Sequence, residues 1–498
     1  MIAPAVPRAG SGVVSVEWSA DTLTPVAAAL RLGDRLAFIL ESVEGGARYG
    51  RYSMVGVRGR TLTVDGSTAV IRVADGGEVE RFETDDPLEA LRSVLPAIPS
   101  DPGFPFPLSA GVGYLSYEAA ARWERLPVPE ADPVGLPEAC FHLPEVVIVF
   151  DHLAQSATLA TIDDGDADGR LAAVAELLAR PVSEERPVRL ERGRRANAIT
   201  AGPERSATTG SAAEDDAARY EAGVASLVAD IHAGEMLQAV LARRFTMPCA
   251  AAPLAVYRAL RRINPSPHLF FIDLGAGRAL LGASPELLVR ARGGEIVTRP
   301  IAGTRPRSDD PVRDAELEAD LLADEKELAE HAMLVDLARN DVGRVSATGS
   351  VEWPLLYSVE RYSHVMHLVS EVRGRLRKGL DAFDAVRATF PAGTLSGAPK
   401  VRAMQAIADL EGERRGPYGG AIGFFSPSDV EAAITIRSVV LRDGTAFVHA
   451  GAGIVADSDP ARESAEVAAK ARAVLAALAE AEAGVPRPAS DTPPNADA

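Results

Sequence analysis

The stretch DEKELAEHAMLVDLARNDVGR, residues 324–344, reads as a helix with acid on one side and apolar residues on the other. Residues three and four apart are neighbours on a helix surface. That spacing puts Glu327, Glu330 and His331 on one face, while Leu328, Ala332, Val335 and Ala338 mark a core-facing stripe. The same arithmetic returns in ARESAEVAAKAR (461–472), where Glu463 and Glu466 stand three apart and Lys470 follows one turn after Glu466. One such acidic pair is most often a solvated face. Two pairs on two helices could converge, and paired carboxylates suit a hard cation such as Mg2+, which takes oxygen ligands.

Outward from these helices the chain divides by composition. Residues 1–180 alternate short apolar runs, among them RLAFILES, TAVIRVAD and PEVVIVFD, with glycine and aspartate turns, the pattern of a sheet-rich N-terminal lobe. Residues 181–216 lack apolar periodicity and read as a linker. A second lobe is expected over 217–480, opening with a helix through Tyr220, Val224, Leu227 and Ile231. The end, 481–498, has too few apolar residues to offset its ordering entropy and reads as a disordered tail. Periodicity alone reaches no further than mixed α and β.

At 498 residues, 47% hydrophobic and 24% charged, the chain has the composition of a globular protein large enough for two lobes. A net charge of −18 argues against nucleic acid or an anionic membrane as partner, since both call for a basic surface. Cys140 and Cys249 form no CxxC pair, so a disulfide framework or zinc ribbon is not expected. No run approaches the roughly 20 apolar residues that span a bilayer, and a cytoplasmic location is expected.

A series of segments then carries a family resemblance. In order they are ILESVEGGARYGRYSMVG (39–56), HAGEMLQAVLARRF (232–245), NPSPHLFFIDLG (264–275), GASPELLVR (282–290), TRPIAGTRPR (298–307), the acidic helix, ERYSHVMHLVSEV (360–372), FPAGTLSGAPKVRAM (390–404), RGPYGGAIGFF (415–425), AAITIRSVV (432–440) and HAGAGIVADSDP (449–460). Together they resemble the chorismate-utilising enzymes, specifically component I of anthranilate synthase. The resemblance implies an α+β fold of two large, mostly antiparallel sheets sandwiched face to face with helices outside, and a cleft between them.

It also implies a chemistry: Mg2+-dependent amination of chorismate at C2 by ammonia, then pyruvate elimination to anthranilate, the first step of tryptophan biosynthesis. By resemblance, Glu330 and Glu466 hold Mg2+, with Glu327 and Glu463 holding its waters. Glu286 of GASPEL matches the general acid for the 4-hydroxyl and should have a raised pKa; read alone, it would be a carboxylate near a helix start after Ser284-Pro285. His367 of HVMH matches the histidine that takes the ring proton. Thr394, Tyr418, Arg437 and the backbone at Gly451 and Gly453 match substrate-carboxylate contacts, and Lys470 a further cationic one. Arginine fits a carboxylate with two prongs, and glycine lets backbone N–H groups approach an anion. The paired His364 and His367 are a weak zinc signal on their own, and SGAPK lacks the GxxxxGK[ST] of a nucleotide loop.

Two positions separate sister enzymes. Gln238 stands where isochorismate-forming members carry a water-activating lysine, and Ala302 where aminodeoxychorismate synthases carry a lysine that attacks the ring. Ammonia itself should therefore add at C2. Neither cysteine lies in an amidotransferase elbow, so a separate glutamine amidotransferase subunit (component II) is expected, in a heterotetramer of two large and two small subunits. Glu41, Ser42, Asn264 and Pro267 resemble a tryptophan feedback site. His268 and Leu269 depart from the tyrosine and methionine common there, and Ala469 from the asparagine that usually precedes the lysine. The rival readings are an aminodeoxyisochorismate synthase that stops before pyruvate loss and a non-catalytic tryptophan-sensing paralogue.

Overall fold

The computed structural model describes residues 6–7, 12–42, 50–98, 104, 106–181, 211–362 and 365–484. They form two large sheets in which neighbouring strands run antiparallel. The first orders Val6–Pro7, Val13–Ser19, Ser156–Ile162, Val146–Asp151, Tyr52–Val57, Leu36–Glu41, His268–Gly275, Arg278–Ser284, Ser438–Arg442, Thr445–Ile454, Gln238–Pro248 and Gly397–Ala398. The second runs from Ile301–Pro306 through Val365–Arg375, Glu295–Thr298, Leu287–Arg292, Asp429–Ile434, Ala421–Phe425, Gly111–Leu115 and Ala139–Leu143 to the strands between Arg60 and Glu83. Glu352–Arg361 pairs with the far side of Val365–Arg375.

The expected sandwich is present, and its layers explain the continuous apolar runs. Side chains alternate between the faces of a strand, so a strand covered on both sides needs apolar residues at every position. Phe38, Val147, Val149, Phe270 and Phe424 fill the core between the sheets. Their neighbours Ile39, Ile148 and Phe271 face outward onto helices that include Pro253–Ile263 and Pro460–Ala483. On the other outer face, Phe141, Val289, Ala432 and Ile434 pack with Phe383 and Val386 of the helix Ala382–Thr389 and Val335 and Val342 of Glu325–Val345.

The N-terminal and C-terminal stretches share both sheets and one outer core. The stretches on either side of the linker expected at 181–216 thus share one core. Residues 182–210 of that linker and 485–498 of the tail lie outside the described residues. The helix expected from about Ala217 begins at Ser211, and the last helix runs through the expected end to Ala483.

Both acidic helices begin with an aspartate cap that satisfies free N–H groups. Asp324 accepts from the N–H groups of Lys326 and Glu327, and Asp459 from that of Arg462. One part of the sequence expectation changes. The buried face of Glu325–Val345 is His331, Leu334, Val335, Asp341, Val342 and Val345, so His331 turns away from Glu327 and Glu330 into the core. Its Nε2 lies 2.6 Å from Ser370 Oγ, and burial pushes its pKa down to about 4.

Candidate active site

The chain crosses between the sheets at Pro285-Glu286 and again at Thr435–Arg437. The crossings lie side by side: Ile434 N–H donates to the Glu286 carbonyl at 3.0 Å, and Ala283 N–H to the Arg437 carbonyl at 3.2 Å. An acid and a guanidinium are thereby fixed at the junction of the two layers. Glu286 is 8% exposed, and its carboxyl accepts from Thr394 Oγ1 at 3.0 Å. Burial pushes its pKa up to about 8, against the smaller opposing pulls of Thr394, Lys470 and Arg437. Arg437 adopts a left-handed backbone with φ 50°, a conformation costing a non-glycine residue about 1 kcal/mol or more.

One wall comes from the strand pair Gln238–Pro248 and Thr445–Ile454, in which Val240 faces Gly453 and Ala242 faces Gly451. These two glycines are there for want of room. A Cβ on Gly453 would stand 2.5 Å from Gln238 Nε2, and one on Gly451 would stand 2.8 Å from the Leu241 carbonyl and 3.0 Å from the Tyr418 hydroxyl. Tyr418 is buried and stacks on His449 with ring centroids 5.3 Å apart and planes 18° from parallel. Burial holds its hydroxyl protonated, with a pKa pushed up to about 12.

The acidic helices meet at this wall. Gln238 Nε2 donates to Glu330 Oε1 at 3.4 Å; Lys470 Nζ donates to the Gly451 carbonyl at 3.0 Å and pairs with Glu466 at 2.7 Å. Burial raises the pKa of Glu330, and Glu327 and Glu466 add to the rise; Glu327 is raised by burial, then by Asp324 and Glu466. Glu463 is raised by burial and Glu466, with a Ser458 hydrogen bond opposing. Carboxylates on two helices thus feel one another, an all-oxygen donor set that fits a hard divalent cation. They form no ready cluster of three metal ligands among the described residues. Lys470 answers Glu466, and Gln238 answers Glu330.

His367 stands opposite on Val365–Arg375. Its Nδ1 lies 2.9 Å from Thr304 Oγ1 and 3.2 Å from the Gly303 carbonyl. A carbonyl only accepts, so Nδ1 carries the hydrogen and Nε2 keeps its lone pair. Burial lowers the pKa of this imidazole and keeps it neutral. Ala302 pairs with Leu368, and a bulge between Ala302 and Thr304 accommodates Gly303; a Cβ on Gly303 would stand 3.3 Å from Glu327 Oε2. Gly303, next to Ala302 in the chain, therefore sits between the histidine and the acidic helix. His364 lies outside the described residues.

The sequence reading missed Thr304, which orients His367, although it lies within the quoted segment TRPIAGTRPR. It also missed Arg415 and His449 behind Tyr418. Arg415 is 2% exposed, pairs with Glu411 at 2.6 Å and donates to the Leu395 carbonyl at 2.7 Å, which braces the loop bearing Thr394. Only the strand register and the tertiary fold bring these residues together.

The four residues compared with a feedback site lie elsewhere. Glu41 is buried and accepts from Tyr257 Oη at 2.6 Å and from Arg261 Nε at 2.9 Å. Ser42 Oγ is buried without a partner among the described residues. Asn264 closes the helix Pro253–Ile263, Pro267 precedes the strand His268–Gly275, and Leu269 pairs with Glu41. Burial lowers the pKa of His268. Cys140 and Cys249 are buried with pKa values pushed up to about 12 and about 11, which makes them poor nucleophiles.

A family model described as chorismate binding enzyme matches residues 38–476. Anthranilate synthase component 1 of Streptomyces coelicolor is 46% identical over 482 residues, covering 94% of this chain and 89% of the relative. The protein of the same name from Thermus thermophilus is 44% identical over 475 residues, covering 94% and 97%. The crystal structure of anthranilate synthase component I from Streptococcus pneumoniae superposes with a TM-score of 0.71 at 34% identity, covering 92% of this chain and 98% of that one. A menaquinone-specific isochorismate synthase from Escherichia coli shares the fold, with a TM-score of 0.68 at 21% identity.

Proposed function

The chain belongs to the chorismate-binding enzymes, in the anthranilate synthase component 1 group, and on that premise we propose how its cleft turns chorismate into anthranilate. It is an enzyme of aromatic amino-acid biosynthesis, and it works with a second component. The observation that carries the mechanism is Glu286, a buried carboxylic acid beside Arg437 with a pKa pushed up to about 8. At neutral pH it holds the proton that the departing 4-hydroxyl needs to leave as water.

Arg437, the neutral Tyr418 hydroxyl and the backbone beside Gly451 and Gly453 receive the substrate's carboxylates, with Thr394 holding Glu286 in place. Ammonia adds at C2. The lone pair on His367 Nε2 then takes the C2 proton as the enolpyruvyl ether departs as pyruvate, and the ring becomes aromatic. Glu330 and Glu466, backed by Glu327 and Glu463 acting through water, would hold Mg2+, which when bound would supply charge to polarise the ring carboxylate. Ala302 presents no amine to compete with ammonia, and Gln238 no base for water. His367→Asn tests the order of steps by mass spectrometry. Amination should continue while the 2-amino intermediate accumulates; anthranilate formed at the wild-type rate would show that another group takes the proton.

The finer assembly belongs to the same proposal. A glutamine amidotransferase subunit supplies the ammonia, in a heterotetramer of two large and two small subunits in the cytoplasm. No helix among the described residues is long and apolar enough to cross a membrane. Tryptophan inhibits through Glu41, Ser42, Asn264 and Pro267; the Ser42 Oγ, buried without a partner among the described residues, supports this reading, and calorimetry with Ser42→Phe tests it. Tryptophan binding to that variant at full affinity would place the inhibitor elsewhere.

A further inference from the structure

The lysine of SGAPK, Lys400, opens the helix Lys400–Glu411 and turns to the acidic helix Glu325–Val345: its Nζ donates to Asp341 Oδ2 at 2.8 Å. Both side chains are largely buried, 13% and 8% exposed. Each stands near the helix end that disfavours its charge, the cation at an N-terminus and Asp341 about one turn before the C-terminal Val345. Replacing a buried ion pair by apolar side chains of similar size is often neutral or stabilising, so stability does not account for this one.

Its place in the fold does. Glu330, Leu334, Leu337 and Asp341 follow one another at helical spacing along one edge of the acidic helix. The facing segment, 389–400, carries Thr394, which holds Glu286, and at Ala398 it pairs with Gln238, whose Nε2 reaches Glu330. Helix and segment are thus joined at Glu330–Gln238 and at Asp341–Lys400, points separated by about 16 Å of helix. Between these points Leu337 lies so close to Gly393 that a Cβ there would overlap it. Beside that contact a cavity of about 50 Å3 is left between Leu334 and Asp341 on the helix and Thr389, Thr394 and Glu286 opposite. Apolar contact has no direction, and the space beside it leaves the spacing of helix and segment unset there. The Glu330–Gln238 hydrogen bond is long at 3.4 Å and ends on a carboxylate that Mg2+ would take up. The ion pair is short and directional, and can fix the register.

We propose that Asp341 and Lys400 are a positioning pair for the reaction: they hold the acidic helix at a set distance from the segment bearing Thr394, and so hold Glu330 in register with Glu286. The inference rests on the reading of Glu330 as a metal ligand and Glu286 as the acid. The pair acts through Glu330 and Thr394 and takes no part in the chemistry itself.

The test is the double variant Asp341→Leu with Lys400→Met in the full chain, which removes both charges and leaves neither buried alone. Its melting midpoint should match or exceed that of the wild type. Mg2+ should nevertheless bind at least about tenfold more weakly in calorimetry without chorismate, the scale for losing a residue that supports a metal ligand. At saturating Mg2+ and chorismate, kcat should fall about 10–10²-fold, as for a misplacement of about 1 Å. A stable double variant with wild-type Mg2+ affinity and kcat would overturn the proposal, since the pair would then serve the fold alone. If the double variant does not fold, Lys400→Gln replaces it: this side chain is one bond shorter, so both losses should appear, and wild-type values of both would overturn the proposal. Glu330→Gln, measured alongside, separates the two readings. Mg2+ binding that survives Glu330→Gln removes the metal assignment and leaves the pair to be judged by kcat, whereas binding lost there but kept, with kcat, in the double variant refutes the pair alone.

Discussion

Glu286 is the residue on which most depends, and its environment sets a sign for pH. Its pKa is raised from an ordinary 4.5 to about 8. Activity that needs the protonated acid should therefore fall as pH rises through about 8. The same group gives full stability below about 4.5 and withdraws it as pH rises toward 8, because the folded state then holds a proton that the unfolded chain has released. Glu286→Gln should cost about 10²–10⁴-fold in kcat and flatten the dependence of unfolding midpoint on pH, which kinetics and thermal melts at several pH values check. The metal face makes a second residue-scale prediction. Glu330→Gln or Glu466→Gln should remove turnover at limiting Mg2+ while leaving the circular dichroism unchanged, and Glu330→Gln should raise the melting temperature without metal, since it relieves carboxylate crowding. Wild-type turnover in either variant would disprove the assigned ligands.

At the scale of elements, the site depends on a helix start and on a glycine strand. Asp324 caps the acidic helix and pairs with Arg305 at 2.7 Å, so Asp324→Ala should lower stability by about 1 kcal/mol and weaken Mg2+ binding, read by denaturant melts and metal titration. Gly453→Ala puts a methyl where Gln238 Nε2 stands; it should raise the KM for chorismate while the fold persists. The acidic faces of both helices were legible in the sequence because helix spacing is local. The placement of His331 was not. It lies next to Glu330 in the chain, yet one residue is a turn of 100° on a helix, enough to carry it from the acidic face into the core against Ser370. Thr304 was hidden for the same kind of reason, since only strand register sets it opposite His367.

For the whole molecule, composition alone reached a large mixed chain, and the ordered segments implied the sandwich. What the chain's order concealed is that both halves contribute to both sheets, so the cleft is made where strands change layers at Glu286 and Arg437. A cleft with no amidotransferase nucleophile of its own should use ammonium salts directly and glutamine only with its second component; glutamine-dependent turnover by the purified chain would contradict this. The central claim is that ammonia enters at C2 and pyruvate leaves. The most direct measurement is mass spectrometry of the product formed by the purified chain from chorismate, Mg2+ and ammonium. The account predicts anthranilate with an equal amount of pyruvate, and 4-amino-4-deoxychorismate, isochorismate or a persistent 2-amino intermediate as the main product would contradict it.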